Sequence, residues 1–293
     1  MAIRVELIHQ TLYQYNRPAF LSPQLIRLKP AAHSRTVIES YQLTIEPANH
    51  VVHEMQEPFG NFVTRVDFTG SVTSMTIRIQ LIANLEPINP FDFFIDGYAS
   101  SFPFDYEAPL KKALTPYLEI TEQGHYLTQW IHQLKQHPRQ DSLDFLIGLN
   151  QQVNQAITYQ VRLQAGVQPA DVTLRRAIGS CRDSAWLLVQ LLRSLGLAAR
   201  FVSGYLAQVA THDSSKVDSS SDVVNSLDLH AWAEVYLPGA GWIGLDPTSG
   251  MLATEGHIPL ACAPDPTEAA PVTGTTGSSE TELTFTSTLT RLT

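Results

Sequence analysis

The sequence predicts an α+β protein in which an antiparallel β-sandwich precedes a helical core that has antiparallel strands of its own. Three observations predict it. Short segments rich in Val, Ile, Thr, Phe and Tyr recur from Ile3 to Ala83, with turn residues between them. Apolar residues at three- and four-residue spacing then dominate from Gly124 to Leu195. Finally, two strands meet at Pro238-Gly239-Ala240-Gly241, a strong hairpin signal. With 293 residues there is room for two cores. The expected division is 1–88 for the sandwich, 89–275 for the core and 276–293 for a last strand that rejoins the sandwich.

Within the first part, Ile3 to Asn16, Gln24 to Lys29, Val37 to Ile45, Val51 to Met55, Asn61 to Phe68 and Thr73 to Ala83 read as strands. Pro47-Ala48-Asn49, Pro58-Phe59-Gly60-Asn61 and Thr69-Gly70-Ser71 separate them. From Pro87 an aromatic stretch punctuated by Pro90, Pro103, Pro109 and Pro116 reads as a segment crossing between the two parts. Gly124 to Gln136 and Ser142 to Ile157 are amphipathic helices, the second with a cap at Ser142 and Asp141 at the positive end of its dipole. The helix beginning beside Cys181 is apolar nearly all round, so it is a buried one that stops at Gly196. Ala199 to Ala207 reads as a strand and Thr211 to Asp228 as a polar surface loop. Asp213, Asp218, Asp222 and Asp228 are solvating charges within that loop.

Composition excludes several function classes. A formal charge of -9 leaves no basic cluster for phosphate neutralisation, so no nucleic-acid partner is expected. No apolar run reaches the roughly 20 residues of a membrane span, so no membrane partner is expected either. Met1 to Tyr15 alternates polar and apolar residues, unlike a secretory signal, and the expected location is cytoplasmic. In that compartment Cys181 and Cys262 stay reduced. No calcium-loop pattern appears, and neither metal nor cofactor is expected.

The chemistry centres on Cys181. A helix N-terminus favours a thiolate there, whereas a lone cysteine elsewhere is usually a small buried hydrophobe. Period-two geometry puts His230, Trp232, Glu234 and Tyr236 on one strand face and Ala231, Ala233, Val235 and Leu237 on the other. His230 is therefore the candidate base. Asp246 on the partner strand could orient it, or could simply open an Asp-Pro turn. The two share a face only if the hairpin loop is odd in length or carries a bulge.

Three segments carry a family resemblance: Gly179-Ser180-Cys181-Arg182-Asp183, His230-Ala231-Trp232-Ala233-Glu234-Val235 and Gly241-Trp242-Ile243-Gly244-Leu245-Asp246-Pro247-Thr248. Together they resemble the motifs of bacterial transglutaminase-like proteins, cysteine-protease-like enzymes with a papain-like core. The resemblance implies a nucleophile helix packed on an antiparallel sheet, and a Cys181, His230, Asp246 triad in that chain order. It implies thiol-dependent cleavage of a peptide or protein amide through a thioester. Amine transfer and a non-catalytic binding module are the alternatives. The second oxyanion donor is looked for near Tyr159 or Gln160. Trp232, Trp186, Tyr205 and Trp242 are candidate pocket walls, and His257 is a candidate substrate-side residue. The segment Gly256-His257-Ile258-Pro259-Leu260-Ala261-Cys262 looks like the branch in which this unit opens a longer polypeptide, so an additional domain is an expected partner.

Overall fold

A computed structural model describes residues 2–136, 138–210 and 225–292. Asp213, Asp218 and Asp222 lie outside these residues. Six strands open the chain: β1 (Ile3–Ala19), β2 (Gln24–Ile26), β3 (Val37–Glu46), β4 (His50–Gln56), β5 (Phe62–Phe68) and β6 (Val72–Leu85). They form the bulk of two antiparallel sheets. Alternation decides which face is buried: Ile77, Ile79, Leu81 and Ala83 of β6 are fully buried while their neighbours are not.

Residues 86–141 cross to the second part. They contain β7 (Ser101–Phe102), α1 (Ala108–Ala113), α2 (Thr115–Leu118), α3 (His125–Leu134) and β8 (Gln140–Asp141). Pro109 and Pro116 lie in the first turn of α1 and α2, where the missing N–H costs nothing. There follow α4 (Ser142–Ala156), β9 (Thr158–Tyr159), α5 (Ala170–Arg176), β10 (Ile178–Gly179) and α6 (Cys181–Ser194). The cap of α4 is Asp141, whose carboxylate accepts the Leu143 and Asp144 amides, rather than Ser142. Ser142 instead donates its hydroxyl to the Ala99 carbonyl.

The remaining strands are β11 (Ala199–Gln208), β12 (Ser226–Leu237), β13 (Gly241–Asp246), β14 (Met251–Leu252), β15 (His257–Ala263), β16 (Val272–Thr273) and β17 (Thr281–Arg291). Five of them make one sheet in the order β14-β13-β12-β11-β15. Every pairing in it is antiparallel. The two sheets of the sandwich run β17-β1-β6-β3 and β16-β2-β5-β4, so the end of the chain supplies one strand to each. Helix α6 lies against the five-stranded sheet, its Ala185, Leu188 and Leu192 sharing a core with Ala231, Ala233 and Val235. The sandwich core is continuous with the opposite end of that sheet through Tyr205, Ile258 and Leu260. Among the described residues no helix is long and apolar enough to cross a membrane.

Candidate active site

Cys181 is the first residue of α6, with Ser180 in extended backbone as its cap. The helix start is tied down by Asp183, a fully buried carboxylate. It accepts the Ser180 amide and hydroxyl, each at 2.8 Å, and the Gln168 amide at 2.7 Å. The Arg162 guanidinium pairs with it at 2.9 Å. Burial alone would raise the Asp183 pKa, but these donors outweigh it and hold it below the usual carboxylate range. The mouth of α6 is thereby a charge-compensated structure.

His230 reaches the thiol from β12. Its strand alternates as the sequence predicts: Ala231, Ala233 and Val235 pack toward α6, and His230, Trp232 and Glu234 take the other parity. The hairpin ladder closes at Leu237↔Gly241, which leaves a loop of Pro238, Gly239 and Ala240. An odd loop pairs residues of matched parity, so Asp246 comes up on the same face as His230. Gly239 supplies the left-handed backbone the turn needs, with φ of 87°.

His230 Nε2 lies 3.2 Å from Asp246 Oδ2. The ring N–H is off that line, so the contact is an ion pair at bonding distance rather than a straight hydrogen bond. With Nε2 turned to the carboxylate, Nδ1 is the other ring nitrogen, and the Cys181 side chain is near enough to raise the His230 pKa. Burial works against a charged imidazole here, but the Asp246 and Cys181 side chains outweigh it and raise the His230 pKa to about 10. Asp246 is 2% exposed. Burial pushes its pKa up, yet the two imidazoles and the Thr248 amide pull it well below the carboxylate range. Its Oδ1 accepts the Thr248 amide at 2.9 Å and its Oδ2 the Ser249 hydroxyl at 3.0 Å. The sequence reading found neither support.

The other sequence-predicted site residues separate into two groups. Trp232, Trp242 and His257 line a cleft on the His230 face of the sheet, together with His33, Arg35 and Glu234. Gly204 permits this packing, because a Cβ there would meet the Trp232 ring at 2.4 Å. Tyr205 and Trp186 are not walls of that cleft. Tyr205 is fully buried, its ring against His9 of the sandwich, because the N-terminal part covers that end of β11. Trp186 is buried among helices, donating its indole N–H to Glu122 and stacking under Arg193. His257 also has a structural contact besides lining the cleft. It contacts Asp246 through Nε2, 3.4 Å from Oδ2. Tyr159 neighbours Cys181, with a phenol pKa raised chiefly by burial and then by the Cys181 charge. Strand β9, which holds it, runs parallel to β10 just before Cys181.

Among the described residues two clusters bring metal-ligating atoms together, and neither donor set fits an ion. In the first, His33, Glu234 and Cys262 already surround a cation, the Arg200 guanidinium, 2.6 Å from Glu234 and 3.3 Å from His33. Burial also pushes the Cys262 thiol up, which disfavours the thiolate a metal requires. In the second, His230, Asp246 and His257 converge. A metal on His257 Nε2 would place the ring proton on Nδ1, where the Thr254 backbone N–H already points inward at 3.1 Å. Metal-bound histidines turn that second nitrogen toward an acceptor, not a donor. Both cysteines are free thiols.

Comparison with known proteins accords with this architecture. The family described as the bacterial transglutaminase-like N-terminal region matches residues 5–84, and the transglutaminase-like superfamily core matches residues 128–247. An uncharacterized protein of Mycobacterium tuberculosis is 26% identical over 284 residues, spanning 92% of this chain and 87% of its own. A protein-glutamine gamma-glutamyltransferase of Pseudomonas aeruginosa is 33% identical over 70 residues, 24% of this chain and 10% of that one. The crystal structure of a "putative cysteine protease" from Cytophaga hutchinsonii superposes with a TM-score of 0.69 at 17% identity, covering 100% of this chain and 92% of that one. At that identity the likeness establishes a shared fold.

Proposed function

The chain joins a bacterial transglutaminase-like N-terminal region to a transglutaminase-like core and so belongs to that superfamily, and from this premise we propose that it is a thiol-dependent amide hydrolase. The observation that carries the proposal is the convergence of three side chains from three elements. Cys181 opens α6, His230 lies on β12 with its Nε2 toward Asp246, and Asp246 ends β13. A thiol, an imidazole and a carboxylate in this order are the parts acyl transfer needs.

In the proposed reaction His230 already holds its proton at neutral pH, and the reacting pair is a Cys181 thiolate beside an imidazolium. The sulfur attacks the amide carbonyl carbon, and the oxyanion is met by the backbone N–H at the start of α6. His230 gives its proton to the departing amine as the C–N bond breaks, leaving a thioester on Cys181. Water then adds with His230 as base, and collapse releases the carboxylic acid and regenerates the thiolate beside the imidazolium. Asp246 holds the imidazole by Nε2 throughout and keeps Nδ1 directed at sulfur.

One observation favours a second outcome, with an amine in place of water. It is the 70-residue likeness to a protein-glutamine gamma-glutamyltransferase. The triad serves both acceptors, so the assay must distinguish them. Glutamine-containing peptides are incubated with the enzyme with and without a fluorescent primary amine, with Cys181→Ala as control. The expected result is ammonia or amine release and a new carboxylate, with little label incorporated. Dominant label incorporation would establish acyl transfer to amines. No turnover by the wild type on any peptide or simple amide would overturn the catalytic reading.

A further inference from the structure

Asp246 has more partners than a triad carboxylate requires: besides His230, the Thr248 amide and the Ser249 hydroxyl, it meets a second imidazole. Its Oδ2 lies 3.2 Å from His230 Nε2 and 3.4 Å from His257 Nε2. His257 opens β15 and is held from both ends by one residue: its backbone N–H donates to the Thr254 carbonyl at 2.9 Å, and its Nδ1 accepts the Thr254 amide at 3.1 Å. An Nδ1 that accepts leaves the ring proton on Nε2, so the nitrogen facing Asp246 is a donor. The Trp232 ring stands edge-on to His257 at 5.2 Å and 85°, which fixes its plane. Only 8% of the His257 side chain is exposed.

We propose that His257 is a positioning residue for the His230–Asp246 pair: a donor locked in one tautomer by Thr254, which takes a share of the Asp246 charge and so lets His230 release its proton. The inference rests on the acyl-transfer reading above. A general acid must let go of its proton as the amine departs. A buried carboxylate with no other partner would grip the imidazolium too tightly, and each further donor on the same oxygen weakens that grip. The geometry fits this division, since Oδ2 is shared among the two rings and the Ser249 hydroxyl, and the His230 N–H is not aligned on it. The other titratable group acting on His230 is Cys181 from α6; Tyr159 of β9 neighbours that cysteine, with Asp228 of β12 and Arg182 of α6 near its phenol. Arg200 and Glu234, further along the same face, neutralise each other at 2.6 Å.

The test reads His230 without requiring turnover. Alkylation of Cys181 by iodoacetamide is followed against pH, and its upper inflection reports deprotonation of the imidazolium. In His257→Leu that inflection is expected to rise by about half to one pH unit. His257→Asn, whose amide is too short to reach Asp246, should match it. His257→Gln, which places an N–H at comparable reach, should return most of the way to wild type. On an amide substrate the first two variants should lose about tenfold in kcat with KM unchanged, and Gln should recover it. An unmoved inflection in both Leu and Asn variants, or an equal shift in all three, overturns the proposal. A shift that follows this pattern in a protein that cleaves no amide supports the positioning role and counts against the hydrolase reading alone.

Discussion

His230 keeps its proton despite its burial, and that places both stability and chemistry at one residue. Its pKa stands at about 10 in the folded chain against an ordinary 6.5. The favourable interaction is fully present below pH 6.5 and is lost as the pH rises through about 10. Asp246 is the largest favourable contributor, so Asp246→Asn removes a buried partner and should cost about 3 kcal/mol at neutral pH. The NH2 group of Asn can also donate to Nε2 and so hold the wrong tautomer, with the proton on Nδ1, and amide turnover should fall by roughly 10²- to 10⁴-fold. Thermal melts of wild type and variant between pH 6 and pH 10.5 check the first expectation. The gap should narrow toward the alkaline end, and a gap that stays constant would show that the pair contributes nothing pH-dependent.

Among the elements, the hairpin of β12 and β13 decides whether the site exists, because its register alone determines where Asp246 points. A three-residue loop pairs even with even, so a single inserted Gly between Gly239 and Ala240 should turn Asp246 to the α6 side of the sheet. The expected result is loss of turnover by at least about 10²-fold, with a two-residue insertion recovering much of it. Full activity in the one-residue variant would mean that a bulge absorbs the insertion. The same element shows how far the sequence could be read. The alternation in His230 to Leu237 and the Pro238-Gly239 turn were enough to name the strand, its faces and the condition on loop length. The strand β15 could not be read because Pro259 and a register shift beside Gly204 interrupt its pattern, which an edge strand tolerates. Without that strand, His257 had no assigned neighbour. Trp186 was misplaced for a different reason: a helix apolar on all sides does not indicate which of its flanks meets a cleft and which meets other helices.

Across the whole molecule, the sandwich does more than precede the core, since it buries one end of the five-stranded sheet. His9 of β1 stands at that junction, fully buried. Its Nδ1 lies 2.9 Å from the Ser287 hydroxyl on β17 and its Nε2 2.9 Å from the Thr11 hydroxyl. Its ring lies 5.7 Å from that of Tyr205 on β11. No carboxylate is among these neighbours, and burial lowers the His9 pKa to about 4. The ring is therefore neutral in the fold, whereas in the unfolded chain it takes up a proton below about pH 6.5. Its contribution is present above that pH and is lost as the pH falls toward 4, with a ceiling of about 3 kcal/mol. Acid should thus loosen the sandwich and its contact with the five-stranded sheet before carboxylates with low pKa values, such as Asp183, are protonated. His9→Gln keeps hydrogen-bonding capacity without the titration. Its melting temperature should fall less than that of the wild type between pH 7 and pH 4.5, and parallel curves for the two proteins would remove His9 from the acid response.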